Sequence, residues 1–265
     1  MFRDEFVVCS NQELYDGISQ VIKNGKDSID YFAVCRMLFN VVYKNCSELY
    51  SLVGDKDIVF RLTDFNIDKD RRGAELLDDF WIIFGDEVEA ILFAAKEHRK
   101  VAKILVPYVR TSRTFSSVKA AIMNKARHIV GYANVEIGAM IENKEASLDA
   151  NRIAQNADFI SFGTNDLTES VLNKKRNPSD ADFSVLSDNV KKLISKAVNR
   201  IKRTKDIPIC ICGEHANYSN NLEYLLSLNI DGITIHPEFV RGFISAIDKY
   251  YAGRTDSGAR KKYDI

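Results

Sequence analysis

The order of apolar runs in this chain predicts a single (β/α)8 TIM barrel. Eight short runs rich in β-branched and other apolar residues recur at 5–10, 31–36, 57–65, 103–109, 133–142, 158–164, 208–214 and 232–237. Helix-length stretches separate them, and 265 residues suit one barrel built on one core. Several runs then break into reactive polar residues, as in DFISFGTNDLT at 158–168 and PICICGEHA at 208–216. Parallel α/β folds build their sites at such strand ends.

Taken in order, EFVVCS (5–10) opens the barrel and YFAVCR (31–36) is the expected second strand, ending on Arg36. DIVFRLTDF (57–65) carries Arg61 inside an apolar run, with Asp64 beyond it, and KILVPYV (103–109) is the fourth strand. ANVEIGAMIE (133–142) ends on Glu142, and DFISFGT (158–164) leads into Asn165 and Asp166. PICICGE (208–214) brings Cys212, Glu214 and His215, and GITIHP (232–237) brings His236. Between the strands, 72–98 and 186–201 place apolar residues at helical spacing, which predicts outer-ring helices. The barrel is expected over 1–252, with a polar tail at 253–265.

Composition narrows the function classes. Lysine plus arginine equals aspartate plus glutamate at 37 each, so no global field recommends nucleic acid or an anionic membrane. No apolar run approaches the roughly 20 residues that span a bilayer. Five cysteines form an odd set and no leader-like segment begins at Met1, which predicts a reducing cytoplasm.

Barrel geometry gathers strand-end residues on one rim whatever their separation in sequence. Two carboxylates there, Glu142 and Asp166, with arginines nearby, suit a divalent cation that also engages an anionic substrate. Singly, each residue has a plainer reading. Arg61 can pair with Asp64, Glu142 can favour a helix N-terminus, Asn165 and Asp166 can cap, and Cys210 with Cys212 can fill core.

Together, AVCRMLF (33–39), FRLTDFNIDKD (60–70), IGAMIE (137–142), GTNDLT (163–168) and CGEHA (212–216) resemble the phosphoenolpyruvate (PEP)-binding barrel of the PEP-utilising enzymes. That family includes pyruvate phosphate dikinase, PEP synthase and enzyme I of the bacterial sugar phosphotransferase system. The resemblance implies that Glu142 and Asp166 hold Mg2+ (or Mn2+) and that Asn165 contacts the phosphate. It also implies that Arg36, Arg61 and Arg176 clamp phosphoryl oxygens, and that Cys212 is the acid that protonates the pyruvate enolate. Glu214 and His215 then position the thiol or line the pocket.

Two departures stand out. The family's arginine loop after the third strand is shortened here to DRRGAE, leaving Arg71 or Arg72, and a family Glu-Thr-Pro is replaced by Glu142-Asn143-Lys144. No segment of this sequence resembles the family's phosphohistidine or ATP-grasp domains, so the resemblance implies a phosphohistidine domain supplied by a separate partner protein or by a missing part of a longer chain, with PEP or pyruvate as ligand. A lyase or aldolase using the same enolate, or a non-catalytic PEP sensor, is the alternative. Oligomeric state is open, a homodimer among the options.

Overall fold

The computed structural model describes residues 1–3, 8–24, 30–63, 75–129, 134–174 and 184–252. Seven parallel strands form one sheet in sequence order: β1 (Phe2–Arg3), β2 (Val59–Arg61), β3 (Ala102–Val106), β4 (Val135–Ile141), β5 (Ile160–Gly163), β6 (Ile209–Cys212) and β7 (Gly232–Ile233). Helices follow the strands and jacket the sheet: α1 (Gln12–Asn24), α2 (Tyr31–Val53), α3 (Glu75–Glu97), α4 (Ser112–His128), α5 (Lys144–Leu148), α6 (Ala150–Asn156), α7 (Thr164–Leu172), α8 (Asp188–Thr204), α9 (Leu222–Ser227) and α10 (Val240–Ala252). This is a barrel-class α/β fold with seven strands among the described residues where eight were expected.

The missing strand is a correction with a clear cause. Residues 31–36 open α2, a helix of 23 residues, and Arg36 lies on its exposed surface. The buried residues of α2 include Val34, Leu38, Val42, Cys46 and Tyr50, four apart throughout, which is helical spacing. A six-residue window rich in β-branched and aromatic residues conceals that period. Strand β1 falls at Phe2–Arg3, ahead of the predicted run at 5–10; of that run 5–7 lie outside the described residues, and 8–10 form a helical turn instead of a strand. The tail at 253–265 also lies outside them.

Alternation along the strands separates two interiors. One parity set (Phe60, Ile104, Val106, Ile137, Ala139, Ile141, Ile160, Phe162, Ile209 and Ile211) joins the main core against the helices, where it meets Val88, Ile122, Ile153 and Ile194. The other set faces the barrel lumen, where Leu105, Met140, Phe159 and Cys212 form a small cluster with Val59 against it. Deeper in the same set, Lys103 bridges Asp57 at 2.7 Å and Glu136 at 3.2 Å, which neutralises charge at the strands' N-terminal ends. Register carries this parity across the sheet: Arg61 pairs with Leu105, Leu105 with Gly138, Met140 with Ser161, and Gly163 with Cys212. Every candidate residue at the C-terminal ends of β2, β4, β5 and β6 is placed by that register.

Candidate active site

Glu142 follows the last residue of β4 and is buried. Its Oε1 accepts the backbone N–H of Tyr108 at 2.6 Å. Tyr108 adopts φ 49°, a left-handed conformation uncommon outside glycine that directs this N–H at the carboxylate. Gly163 on the neighbouring strand leaves the room that Glu142 occupies, because a Cβ there would lie 2.9 Å from Oε2. The glycine of GTNDLT is thus tied to the glutamate of IGAMIE by packing.

Arg61 ends β2 and is 5% exposed, with Nη1 3.7 Å from the Met140 sulfur. Cys212 ends β6 and is 2% exposed; its sulfur accepts a hydrogen bond from the Ser161 hydroxyl at 3.6 Å. Burial raises the Cys212 thiol pKa most; the Ser161 hydrogen bond lowers it, the Glu142 charge raises it again, and Arg3 and Arg61 lower it. The net direction is up, so the thiol stays protonated through neutral pH. Register and parity put Arg3, Arg61, Glu142 and Cys212 on the same face of the sheet. Cys210, two residues back on the same face, is also raised, chiefly by burial and then by Asp231.

The two turns beyond β5 and β6 are laced together. Asn165 and Asp166 occupy the first turn of α7, half-buried, while Glu214 and His215 stand on a 3₁₀ turn after Gly213. Asn165 Oδ1 accepts the Glu214 N–H at 2.9 Å, and His215 Nδ1 lies 3.1 Å from the Thr164 hydroxyl. Thr164 in turn donates to the Cys212 carbonyl at 3.0 Å. Gly213 has φ 114°, and a Cβ on it would fall 2.2 Å from Thr164 Oγ1, so no side chain fits there.

The structure therefore brings together Arg61, Glu142, Asn165, Asp166, Cys212, Glu214 and His215 at one end of the sheet. Arg36 is not at a strand end: it sits exposed on α2. Arg176, Asp64, Arg71 and Arg72 lie outside the described residues. Lys144 is exposed at the start of α5, where Asn143 supplies the cap through Oδ1 to the Ala146 N–H at 2.8 Å. His236 is exposed and pairs with Glu238 at 3.3 Å. Sequence reasoning missed Ser161, Thr164 and Tyr108. Parity predicts Ser161, two residues before Gly163 on the lumen face; nothing local in the sequence marks Tyr108.

Among the described residues no group of three His, Cys, Asp or Glu side chains could hold a metal ion. Two carboxylates at adjacent strand ends nevertheless fit Mg2+, a hard ion that binds through one or two carboxylates and draws its remaining oxygens from water and substrate. They do not fit a site that requires a closed protein cage.

A buried carboxylate, a buried thiol and a buried arginine thus stand at the C-terminal ends of parallel strands in a barrel-class fold, where such folds build their sites. The sequence profile of the PEP-utilising enzyme PEP-binding domain matches residues 1–250, and the chain belongs to that family. It is 31% identical over 202 residues to a pyruvate, phosphate dikinase of Rhizobium meliloti (strain 1021), covering 66% of this chain and 22% of that protein. With the pyruvate, phosphate dikinase of Treponema pallidum it shares 25% over 226 residues, 72% of this chain and 25% of the relative. The chain thus spans about a quarter of the length of these curated relatives. A citrate lyase structure from Burkholderia xenovorans LB400 superposes with a TM-score of 0.54 at 15% identity, over 84% of this chain and 73% of that one, a likeness of fold. No described helix is long and apolar enough to cross a membrane.

Proposed function

We propose that this barrel binds PEP and catalyses its conversion to pyruvate by way of the enolate, passing the phosphoryl group to a histidine on a phosphohistidine domain supplied by a separate protein or by another part of a longer chain. The observation that carries the reading is Cys212: a buried thiol at a strand end, on the same sheet face as Glu142 and Arg61. In the forward direction the P–O bond of PEP breaks and a P–N bond to the histidine forms. The electron pair left on oxygen delocalises as enolate, and the Cys212 S–H delivers its proton to C3. The thiolate is then reprotonated from solvent. Arg61 binds phosphoryl or carboxylate oxygens by charge-assisted hydrogen bonds, and Asn165 orients the same group. Mg2+ or Mn2+ held by Glu142 and Asp166 would supply charge stabilisation for the enolate. Phe159, Leu105 and Met140 close the lumen beneath the site and keep water from the reacting carbon.

The pyruvate, phosphate dikinase relatives favour this reading over a lyase built on the same enolate or a protein that merely binds PEP. The three readings part in one experiment. The protein is incubated with PEP and Mg2+, with and without a phosphohistidine-domain protein, and pyruvate and protein-bound phosphate are followed. Pyruvate stoichiometric with phosphohistidine supports phosphotransfer. Turnover without the partner supports a lyase-type enolate route, and PEP binding with no pyruvate under either condition supports a binding protein.

A further inference from the structure

We infer that His215 is a positioning residue for Cys212, holding its ring proton on Nδ1 and acting through the Thr164 hydroxyl. The positioning role rests on the enolate reading above; the proton assignment rests on geometry alone. Thr164 Oγ1 lies 3.0 Å from the Cys212 carbonyl oxygen, to which it donates, and 3.1 Å from His215 Nδ1. A hydroxyl carries one proton, and the carbonyl can only accept. The hydroxyl therefore faces the ring as an acceptor, so Nδ1 must be the donor. The result is a directed chain, from the ring N–H to the hydroxyl and from the hydroxyl O–H to the carbonyl of the candidate acid.

The chain is anchored at both ends. His215 and Thr164 are buried. The His215 carbonyl accepts from Asn221 Nδ2 at 2.9 Å; the same amide group donates to Ser184 O at 3.0 Å, and Oδ1 accepts from the Leu186 N–H at 3.0 Å. At the other end, Thr164 Oγ1 sits so close to Gly213 that no Cβ fits between them. Thr164 also precedes Asn165 and Asp166 in the first turn of α7, where Asn165 takes the Glu214 N–H. One ring proton thus fixes the backbone of Cys212 relative to the turn that carries the candidate phosphate and metal residues. Losing that donor leaves a buried hydroxyl lone pair unsatisfied and frees the Gly213 turn, displacing the thiol from its approach to the substrate carbon.

Two measurements test this. The first is tautomer detection by long-range 1H–15N correlation on protein labelled in its four histidines, with His215 assigned by its loss in His215→Asn. A protonated Nδ1 is expected, and a bare Nδ1 overturns the inference whatever the protein does with PEP. The second uses proton exchange at the pyruvate methyl group. Asparagine places its amide nitrogen near Nδ1 and glutamine near Nε2. His215→Gln should therefore slow exchange by roughly tenfold or more with PEP affinity changed less than about threefold, while His215→Asn keeps exchange within about threefold. Should the glutamine variant not fold, Thr164→Val replaces it as the slow variant and Thr164→Ser as the rescue. Wild-type exchange in Thr164→Val, or an asparagine variant as slow as the glutamine one, overturns the positioning role. Absence of exchange in the wild type sinks the enolate reading and the positioning role together, and the 15N result then judges the hydrogen-bond chain independently.

Discussion

The outward and inward faces of β4, β5 and β6 are built from alternate residues of the same strands, yet they do different work. Outward, Ile137, Ala139, Ile141, Ile160, Phe162, Ile209 and Ile211 are fully or almost fully buried against the helices and carry no polar atom on their side chains. Inward, Met140, Ser161, Gly163 and Cys212, with Glu142 just past β4, combine a carboxylate, a hydroxyl, a thiol and a deliberate gap. Hydrophobic burial holds the strands from outside, so the lumen can afford a buried charge and a raised thiol. Stability and chemistry are therefore separable by parity, one residue apart.

That separation can be broken most easily from outside. Phe162→Ala should lose about 3–5 kcal/mol of stability, read by denaturant unfolding, because a fully buried ring leaves a cavity the surrounding core closes poorly. One residue away from Gly163, it should spoil the site only by unfolding it. Asp166→Asn probes the other face: metal-dependent PEP binding by calorimetry should weaken by about a hundredfold, roughly 2.7 kcal/mol, with circular dichroism unchanged. Unchanged binding would remove Asp166 from the metal assignment. Arg61→Ala should weaken PEP by about ten- to a hundredfold, since a charge-assisted hydrogen bond is worth roughly 1.5–3 kcal/mol, and should weaken pyruvate much less. If Arg61→Ala instead destabilises the fold and leaves PEP affinity intact, the arginine serves the lumen's packing beside Met140. Arg36→Ala is expected to do least, less than about 0.5 kcal/mol in stability and no change in PEP affinity, because its side chain is exposed on α2. A large PEP effect there would show that α2 approaches the substrate.

The same contrast explains which parts of the molecule were legible in the sequence. At β4, β5 and β6 the apolar run, the break and the reactive residue are contiguous, so IGAMIE, GTNDLT and CGEHA announced both strand and site, and parity placed Cys212 inward. The N-terminal third gives no such junction. The run at 31–36 has strand composition, but its role is set by residues 38, 42, 46 and 50, outside the window, so Arg36 was assigned to a strand end and lies on a helix instead. Tyr108 and Thr164 were illegible for a different reason. Their contributions are a backbone N–H aimed by a left-handed φ and a hydroxyl shared between two loops, and neither is encoded by residue type at a characteristic spacing.

The claim that the lumen face carries enolate chemistry is tested most directly by exchange of the pyruvate methyl protons in D2O, with Mg2+ and a phosphate analogue present, in Cys212→Ala beside Cys210→Ala. The account predicts that Cys212→Ala abolishes exchange while binding PEP nearly as wild type, and that Cys210→Ala, one pair deeper on the strand, keeps it. Because burial raises the Cys212 pKa, the protonated thiol persists through neutral pH, and loss of the acid form sets in only as pH rises beyond the ordinary thiol range of about 8.5. Exchange that survives in Cys212→Ala at the wild-type rate would contradict the account and move the acid role to another group or to water.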